Sequence, residues 1–514
     1  MPRRDRWRAQ PADLPGAGGP GPEHPPPGRR AVDRFGGPAR SRRTRHAMTA
    51  GPAHQAAADG ATVDLAIVGA GPAGMGAAIR AAELGLAVVV FDDQPAPGGQ
   101  IYRNVAHPPP LPRHVLGPDY HAGAALVARF LASGAAYRPS SLVWHMAEGS
   151  LSHTGPDGGG TLAARRILLA TGAMERPFPV PGWTLPGVMT AGAAQIMLKT
   201  SATVADDAVF AGSGPLLYLV VAQYLRAGIR VRALLDTTPS GARRRALSRL
   251  GSAWSGRATL AKGLGLLAEI RRAGVTVHRH VADLAAVGAD RLDAVTWRSG
   301  TVRHRLDCRT LFLHQGIVPN VNAAMAVGCR HGWDEGQLCW RPALDAAGRS
   351  SVAGVMVAGD GGGIAGAVAA ALSGEIAAIA AASDLGRIDD ATRDRLIAPL
   401  ESRRHRDMAV RPFLETLYRP ADAYRIPSQD ETLVCRCEEV DRGTLAEIVR
   451  RGCPGPNQIK AFSRCGMGPC QGRLCGHTVT ELFADLTGRS PDAVGHYRIR
   501  MPIKPVTLGD IAGP

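Results

Sequence analysis

The apolar residues of the chain fall into short runs separated by glycine turns. Val63–Val68 is apolar apart from Asp64 and runs directly into Gly69-Ala70-Gly71-Pro72-Ala73-Gly74. Met75–Leu84 then has helical spacing, and Ala87–Phe91 is a second apolar run ending at Asp92. The order predicts strand, glycine turn, helix, strand and acid. Three later segments repeat part of it. Ile167–Ala170 meets Thr171-Gly172. Val209–Ala211 meets Gly212-Ser213-Gly214, with Val231–Leu235 and Asp236 behind it. Gly354–Ala358 meets Gly359-Asp360. Short apolar runs alternating with helical stretches predict an α/β chain with parallel sheets.

The first unit has the full context of a dinucleotide site. Gly69 makes the tight turn, Gly71 lets the backbone approach a pyrophosphate, and Gly74 permits close helix–strand packing. Pro72 and Ala73 open the helix, whose free N–H groups and dipole favour phosphate. Asp92 is placed to accept ribose hydroxyls, with Asp93 as the alternative. Gly98-Gly99-Gln100 opens the loop that follows. The second unit departs from the pattern, because Leu217 stands where the third glycine belongs. Two readings of Gly212, Gly214 and Asp236 stay open: a second nucleotide of NAD or ADP type, or a structural domain whose ligand is lost or altered.

Together the four segments resemble the glutathione-reductase-like two-dinucleotide-domain flavoproteins, over about residues 63–385. The resemblance implies that FAD binds at Gly69, Gly71, Pro72, Ala73, Gly74, Asp92, Asp93, Gly99 and Gln100. Thr171 and Gly172 mark where the chain leaves the FAD domain. Gly359 and Asp360 face the ribityl and pyrophosphate region. Between Val63 and Thr301 there is no cysteine, so a disulfide reductase with a dithiol relay is excluded. The expected layout is a Rossmann-type FAD domain split into 61–200 and 307–386, an inserted domain at 201–306, a helical connector at 387–429, a small cysteine-rich domain at 430–486 and a tail at 487–514.

Composition changes this picture little. The net charge of +16 would suggest a polyanion partner, but only four of 60 basic residues are lysine, an arginine bias of the background. Residues 1–50 alone carry a surplus of seven positive charges. Residues 1–60, rich in Pro, Gly, Ala and Arg without apolar periodicity, read as a disordered extension, with Met48 an alternative start. Neither Arg3-Arg4 nor Arg42-Arg43 is followed by the apolar region of an export signal. With no 18-residue apolar run and no nucleic-acid-binding signature, the sequence predicts neither a transmembrane helix nor nucleic-acid binding.

The nine cysteines carry more. Six lie between 435 and 475, in the order Cys435, Cys437, Cys453, Cys465, Cys470, Cys475. Clustering without an export signal predicts metal rather than disulfides. Cys308, Cys329 and Cys339 read as packing thiols, Cys453 as part of a helix-end turn, and Glu438 with Arg464 as a structural ion pair. The Cys-x-Cys pair and the glycine-rich approach Arg464-Cys465-Gly466-Met467-Gly468-Pro469-Cys470 resemble the bacterioferritin-associated-ferredoxin-like [2Fe-2S] domain, a small α-helical module. By that resemblance the ligands are Cys435, Cys437, Cys470 and Cys475. The Cys470–Cys475 spacing is wider than in the stand-alone ferredoxin, so Cys465 competes with Cys475 for the fourth place.

Asp92–Arg103, Pro181-Gly182-Trp183 through Gly192, and Arg500–Val506 are similar to the large FAD/[2Fe-2S] flavoproteins of dye-linked amino-acid dehydrogenases. That group comprises the A component of opine oxidase, the B component of hydrogen cyanide synthase and the α component of D-hydroxyproline dehydrogenase. The resemblance implies an electron-relay subunit for an amine or imino-acid (opine, hydroxyproline, glycine or sarcosine-like) dehydrogenase. A D-amino-acid-oxidase-like partner would oxidise the substrate. A respiratory acceptor, an interfacial FMN and a small ferredoxin subunit belong to the same expectation, as does a cytoplasmic location, peripheral at the inner face of the membrane. No catalytic residue is assigned. His145, His314 and His331 read as isolated structural histidines, and Tyr102 and Arg103 as candidates to touch the flavin. The rival readings are a stand-alone NAD(P)H-dependent flavin/iron–sulfur reductase and a non-enzymatic iron–sulfur sensor.

Overall fold

The computed structural model describes residues 62–512; the N-terminal extension lies outside them. Two sheets of one design dominate. The first takes β1 (Val63–Val68), β2 (Val88–Phe91), β3 (Ala136–Arg138), β4 (Leu142–Ala147), β5 (Ser150–Gly155) and β6 (Gly158–Leu169). Its core is parallel, in the order β3-β2-β1-β6, and a late strand, Val355–Val357, adds beyond β6. The register sets Ile67 between Val90 and Leu168. Strands buried on both faces read as continuous apolar runs, as these do. The far half of β6 turns antiparallel onto β5 and β4.

The second sheet repeats the plan with β8 (Val188–Thr190), β9 (Ala208–Ser213), β10 (Val231–Asp236), β11 (Thr276–Arg279) and β15 (Leu311–Gln315), in the order β11-β10-β9-β15-β8, all parallel. An antiparallel meander, β12 (Val281–Val287), β13 (Ala294–Ser299) and β14 (Val302–Asp307), stands beside it. The second sheet reaches past the expected bounds of 201 and 306 at both ends, from Val188 to Gln315. A doubly buried apolar strand such as Leu311–Gln315 looks alike in either domain, and only its pairing with β9 assigns it. The chain crosses between domains on a two-stranded ribbon, β7 (Ala173–Glu175) against β16 (Ile317–Pro319).

Helix α1 (Pro72–Glu83) follows the first glycine turn, and α2 (Pro118–Leu131) packs on it. In the inserted domain, α3 (Ala191–Ser201) and α4 (Pro215–Arg226) flank β9, and α5 (Ala242–Leu247), α6 (Leu250–Ser255) and α7 (Arg257–Arg272) fill the connection from β10 to β11. Helix α8 (Ala367–Asp384) is long and apolar enough to cross a bilayer by length and composition, although Ser373, Glu375 and Ser383 interrupt its apolar residues. It is instead largely buried, against α1 and against α9 (Asp390–Met408) of the connector. Alanine dominates it, so it is apolar without being bulky. Helix α10 (Arg411–Leu417) completes the connector.

The cysteine-rich domain has a two-stranded ribbon, Leu433–Cys435 with Val440–Asp441, and helices α11 (Arg442–Arg450), α12 (Pro456–Ser463) and α13 (Gly476–Thr487). Its core draws on residues past 486: Val494, Tyr497 and Ile499 are buried with Leu445, Ile459, Leu482 and Phe483. The tail then crosses back to the FAD domain. Ile503 N–H donates to the Trp144 carbonyl (3.3 Å), Thr154 donates to Asp510 (2.7 Å), and Lys504 pairs with Asp93.

Candidate functional site

The first glycine turn lies at the C-terminal end of β1, where ligands bind in open parallel sheets. A Cβ built on Gly74 would lie 1.8 Å from the Gly69 carbonyl oxygen, so only glycine lets α1 start this close to the turn. Gly71 and Gly99 face each other across the cradle, a Cβ on Gly99 falling 2.9 Å from the Gly71 Cα. Asp92 is buried at the end of β2. Its carboxylate accepts the Ala70 (2.7 Å) and Gln94 (2.8 Å) backbone N–H groups. Burial raises its pKa despite those two bonds. Asp93 points outward; burial would raise its pKa, but Lys504 outweighs this and lowers it.

The late segments close on the same place. Gly359 packs on Ala73, with 2.7 Å between its built Cβ and that of the alanine. Asp360 accepts the Ala365 (2.8 Å) and Gly366 (3.0 Å) N–H groups at the start of α8. Thr171 donates to the Asn320 carbonyl (3.1 Å), and Gly361 lies against its hydroxyl. Residues scattered from 69 to 366 thus form one glycine-lined cradle with two helix N-termini and a ribose-spaced carboxylate, the donor set a dinucleotide pyrophosphate needs. Tyr102 is not part of it: its ring turns onto α2 beside Gly123. Arg103 donates to the Gln100 side chain (3.3 Å).

One contributor carries no motif. Lys199, at the end of α3, is buried, and its ammonium reaches the Gln100 (3.1 Å) and Ile101 (2.9 Å) carbonyls and Gln195 Oε1 (2.9 Å). Three acceptors match the three N–H groups of an ammonium, so α3 clamps the loop after Gly99. The signal was compositional: lysine is rare here, and this one follows the apolar run Ile196-Met197-Leu198. Burial, helped by Arg103, lowers its pKa to about 7. The unfolded chain keeps this proton up to about pH 10.5, so folding releases it between those values, and stability from this group rises with pH across that window. Denaturant unfolding at pH 7 and pH 9 checks this. Wild type should gain on Lys199→Met at the higher pH, and an unchanged gap would remove the assignment.

The second glycine turn shares the close strand approach of Gly69, whose built Cβ falls 2.5 Å from the Ala170 carbonyl oxygen, and differs in Leu217 and in the side-chain partner of its acid. Gly212 is pressed against β15, a built Cβ falling 1.7 Å from the His314 carbonyl oxygen. Leu217 is fully buried in the apolar cluster shared by both domains. Asp236 is already engaged, accepting the Tyr218 hydroxyl (3.1 Å) and the Thr238 N–H (2.9 Å). His314 is not isolated: its Nδ1 meets Glu175 Oε1 at 2.7 Å, while Glu175 Oε2 accepts the Gly192 N–H (2.9 Å). The pair links the crossing ribbon to α3 and lies beside Gly214.

In the cysteine-rich domain, the sulfurs of Cys435, Cys465 and Cys475 lie within 4.8 Å of one another, all buried. Cys437 is exposed and hydrogen-bonds with the half-buried Cys470. Five of the six clustered thiols thus form a basket of three and two, and four soft sulfur donors on glycine-rich backbone fit an iron–sulfur cluster. Bonds from Cys465 and then Cys475 hold the Cys435 thiol far below its ordinary range, while the bond to Cys435, with burial, pushes Cys465 up to about 12. The sequence missed Tyr497, whose hydroxyl donates to Cys465 Sγ (3.2 Å). Cys453 bonds the Gly455 carbonyl (3.4 Å) in its turn, and Glu438 pairs with Arg464 (2.8 Å). Trp183 Nε1–H donates to the Leu433 carbonyl (2.7 Å), and Asn322 to that of Gln471 (3.2 Å), docking the basket on the flavoprotein body.

The pyridine nucleotide-disulphide oxidoreductase family profile matches residues 63–374, and the BFD-like [2Fe-2S] binding domain profile matches 433–485. The chain is 42% identical over 460 residues to the A component of opine oxidase from Agrobacterium tumefaciens (strain Ach5), covering 87% of this chain and 91% of that one. It is 31% identical over 464 residues to the HcnB component of hydrogen cyanide synthase from Pseudomonas aeruginosa, covering 86% and 96%. The fold matches the L-proline dehydrogenase from P. horikoshii with a TM-score of 0.65 at 18% identity, over 88% of this chain and 79% of that one. The chain belongs to the pyridine nucleotide-disulphide oxidoreductase family, in the branch of the opine oxidase A component, and is an FAD- and [2Fe-2S]-dependent oxidoreductase subunit.

Proposed function

We propose that this subunit relays electrons and does not itself oxidise the amine. The observation that carries this reading is the pairing, in one chain, of a dinucleotide cradle with a sulfur basket docked on it through Trp183 and Asn322. When bound, FAD supplies two-electron to one-electron conversion and the cluster supplies single-electron transfer. The chain's own residues position these groups. Gly71, Gly99 and the α1 N-terminus cradle the pyrophosphate, Asp92 takes the ribose, and Lys199 fixes the loop between the two domains. Cys435, Cys437, Cys470 and Cys475 hold the cluster, with Cys465 behind them. The substrate, an opine or a related secondary amine or imino acid, is oxidised in a D-amino-acid-oxidase-like partner. A flavin at the interface with that partner and a small ferredoxin complete the path to a respiratory acceptor on the inner face of the membrane.

The rival reading is direct reduction by NADH or NADPH at the second glycine turn. Leu217 and the Tyr218–Asp236 bond speak against an ordinary pyridine nucleotide seat there. The test adds NADH or NADPH anaerobically to the purified chain, and separately adds an opine to the chain co-expressed with its oxidase-like neighbour. Amine-dependent dye reduction only in the pair, with no flavin bleaching by either nucleotide alone, is the expected result. Rapid bleaching of the lone chain would sink the relay.

A further inference from the structure

The connection from β10 to β11 is built unlike the rest of the chain. Residues 241–273 hold eight basic residues and one acid, Glu269. Glu269 is taken by Arg226 (2.7 Å), and Lys262 by Asp119 (2.7 Å). The Arg243-Arg244-Arg245 run, with Arg249, Arg257, Arg271 and Arg272, is exposed and forms no ion pair among the described residues.

Apolar residues are exposed beside them. Leu247 ends α5, Leu250 and Trp254 lie i, i+4 on α6, and Leu264 and Leu267 lie i, i+3 on α7, all exposed. Trp254 is 76% exposed, Leu264 67% and Leu247 57%. The inner side of α7 is already satisfied, with Ile270 buried and α4 packed against it. Leu264 and Leu267 therefore lie on the outward face of a helix whose inward face is used. α6 and α7 are joined through Gly256 and pack together.

We infer that α5–α7 form a docking surface for an anionic lipid bilayer, seating Trp254, Leu264 and the neighbouring leucines at the headgroup boundary with the arginines around them. An apolar surface of tryptophan and leucine, rimmed by arginine and almost free of acid, is the signature of an interfacial helix. The charge favours an acidic lipid surface, each basic residue near it contributing about a fivefold gain in partition. The one helix apolar enough to span a bilayer among the described residues is buried in the core, so attachment through this surface is peripheral. The inference does not depend on the relay reading.

The test sediments the FAD-loaded full chain with phosphatidylcholine vesicles and with phosphatidylcholine–phosphatidylglycerol vesicles at low salt. Wild type should pellet with the anionic vesicles only and be released by salt. Charge reversal of Arg243, Arg244 and Arg245 to Glu should weaken partition by more than about a hundredfold, given a fivefold loss per neutralised residue. Trp254→Ser should weaken it with the charge intact, and both variants should keep their FAD. Failure of wild type to pellet with anionic vesicles would overturn the inference. So would undiminished binding by both variants, which would point to the basic first fifty residues. So would variants whose only change, by size-exclusion chromatography, is loss of a contact with another protein chain, making the surface a protein interface.

Discussion

Gly71→Ala is expected to give a folded chain that purifies without flavin. A Cβ there meets nothing nearer than the Gly99 Cα at 3.7 Å, an ordinary contact, so the protein has room for the methyl group. The phosphates do not, because the methyl stands where the backbone must approach them. Losing two charge-assisted hydrogen bonds, at about 1.5–3 kcal/mol each, lowers FAD affinity by more than about a hundredfold. Gly74→Ala is the contrasting case. Its Cβ would collide with the Gly69 carbonyl oxygen at 1.8 Å, displacing the helix itself, so it should lose flavin and thermal stability together. Flavin absorbance per chain and the unfolding midpoint separate the two. A Gly71→Ala chain that retains full FAD would remove the cradle from this turn.

The second large effect concerns metal. Cys475→Ser is expected to abolish bound iron and the visible spectrum of the cluster, as are Cys435→Ser and Cys437→Ser. Cys465→Ser should keep two irons per chain and shift the reduction potential, because its sulfur lies against Cys435 and Cys475 and takes the Tyr497 hydroxyl. Hydrogen bonding and charge near cluster sulfurs set the potential. Iron content and redox titration read both outcomes. An iron-free Cys465→Ser beside an iron-loaded Cys475→Ser would exchange their roles.

The FAD cradle was legible because its geometry tolerates few residues: Gly69, Gly71, Gly74 and Asp92 must stand in that order and spacing. The late Gly359-Asp360 could be placed only by resemblance, since nothing local says that it packs on Ala73. Interactions between distant residues were not legible. Glu175 and His314 are 139 positions apart, and the Lys199 acceptors include two backbone carbonyls, which leave no mark on a sequence. Which sheet Leu311–Gln315 joins was not legible for a related reason, because strand pairing with β9 belongs to the partner and not to the run itself. The five sulfurs illustrate the middle case. Spacing brought six cysteines into one window, but the three-and-two arrangement depends on how the loop from Cys465 to Cys475 folds.

The returning tail sets an order of manufacture. Val494, Tyr497 and Ile499 are core residues of the cysteine-rich domain, and Ile503 and Lys504 fasten that stretch to the flavoprotein body. Parts of a chain made earlier fold while the rest is still being made, but this domain lacks part of its interior until synthesis has passed Lys504. The sulfur basket therefore closes late, on a body that is already built. A chain ending before Val494 would be a flavoprotein with an open basket.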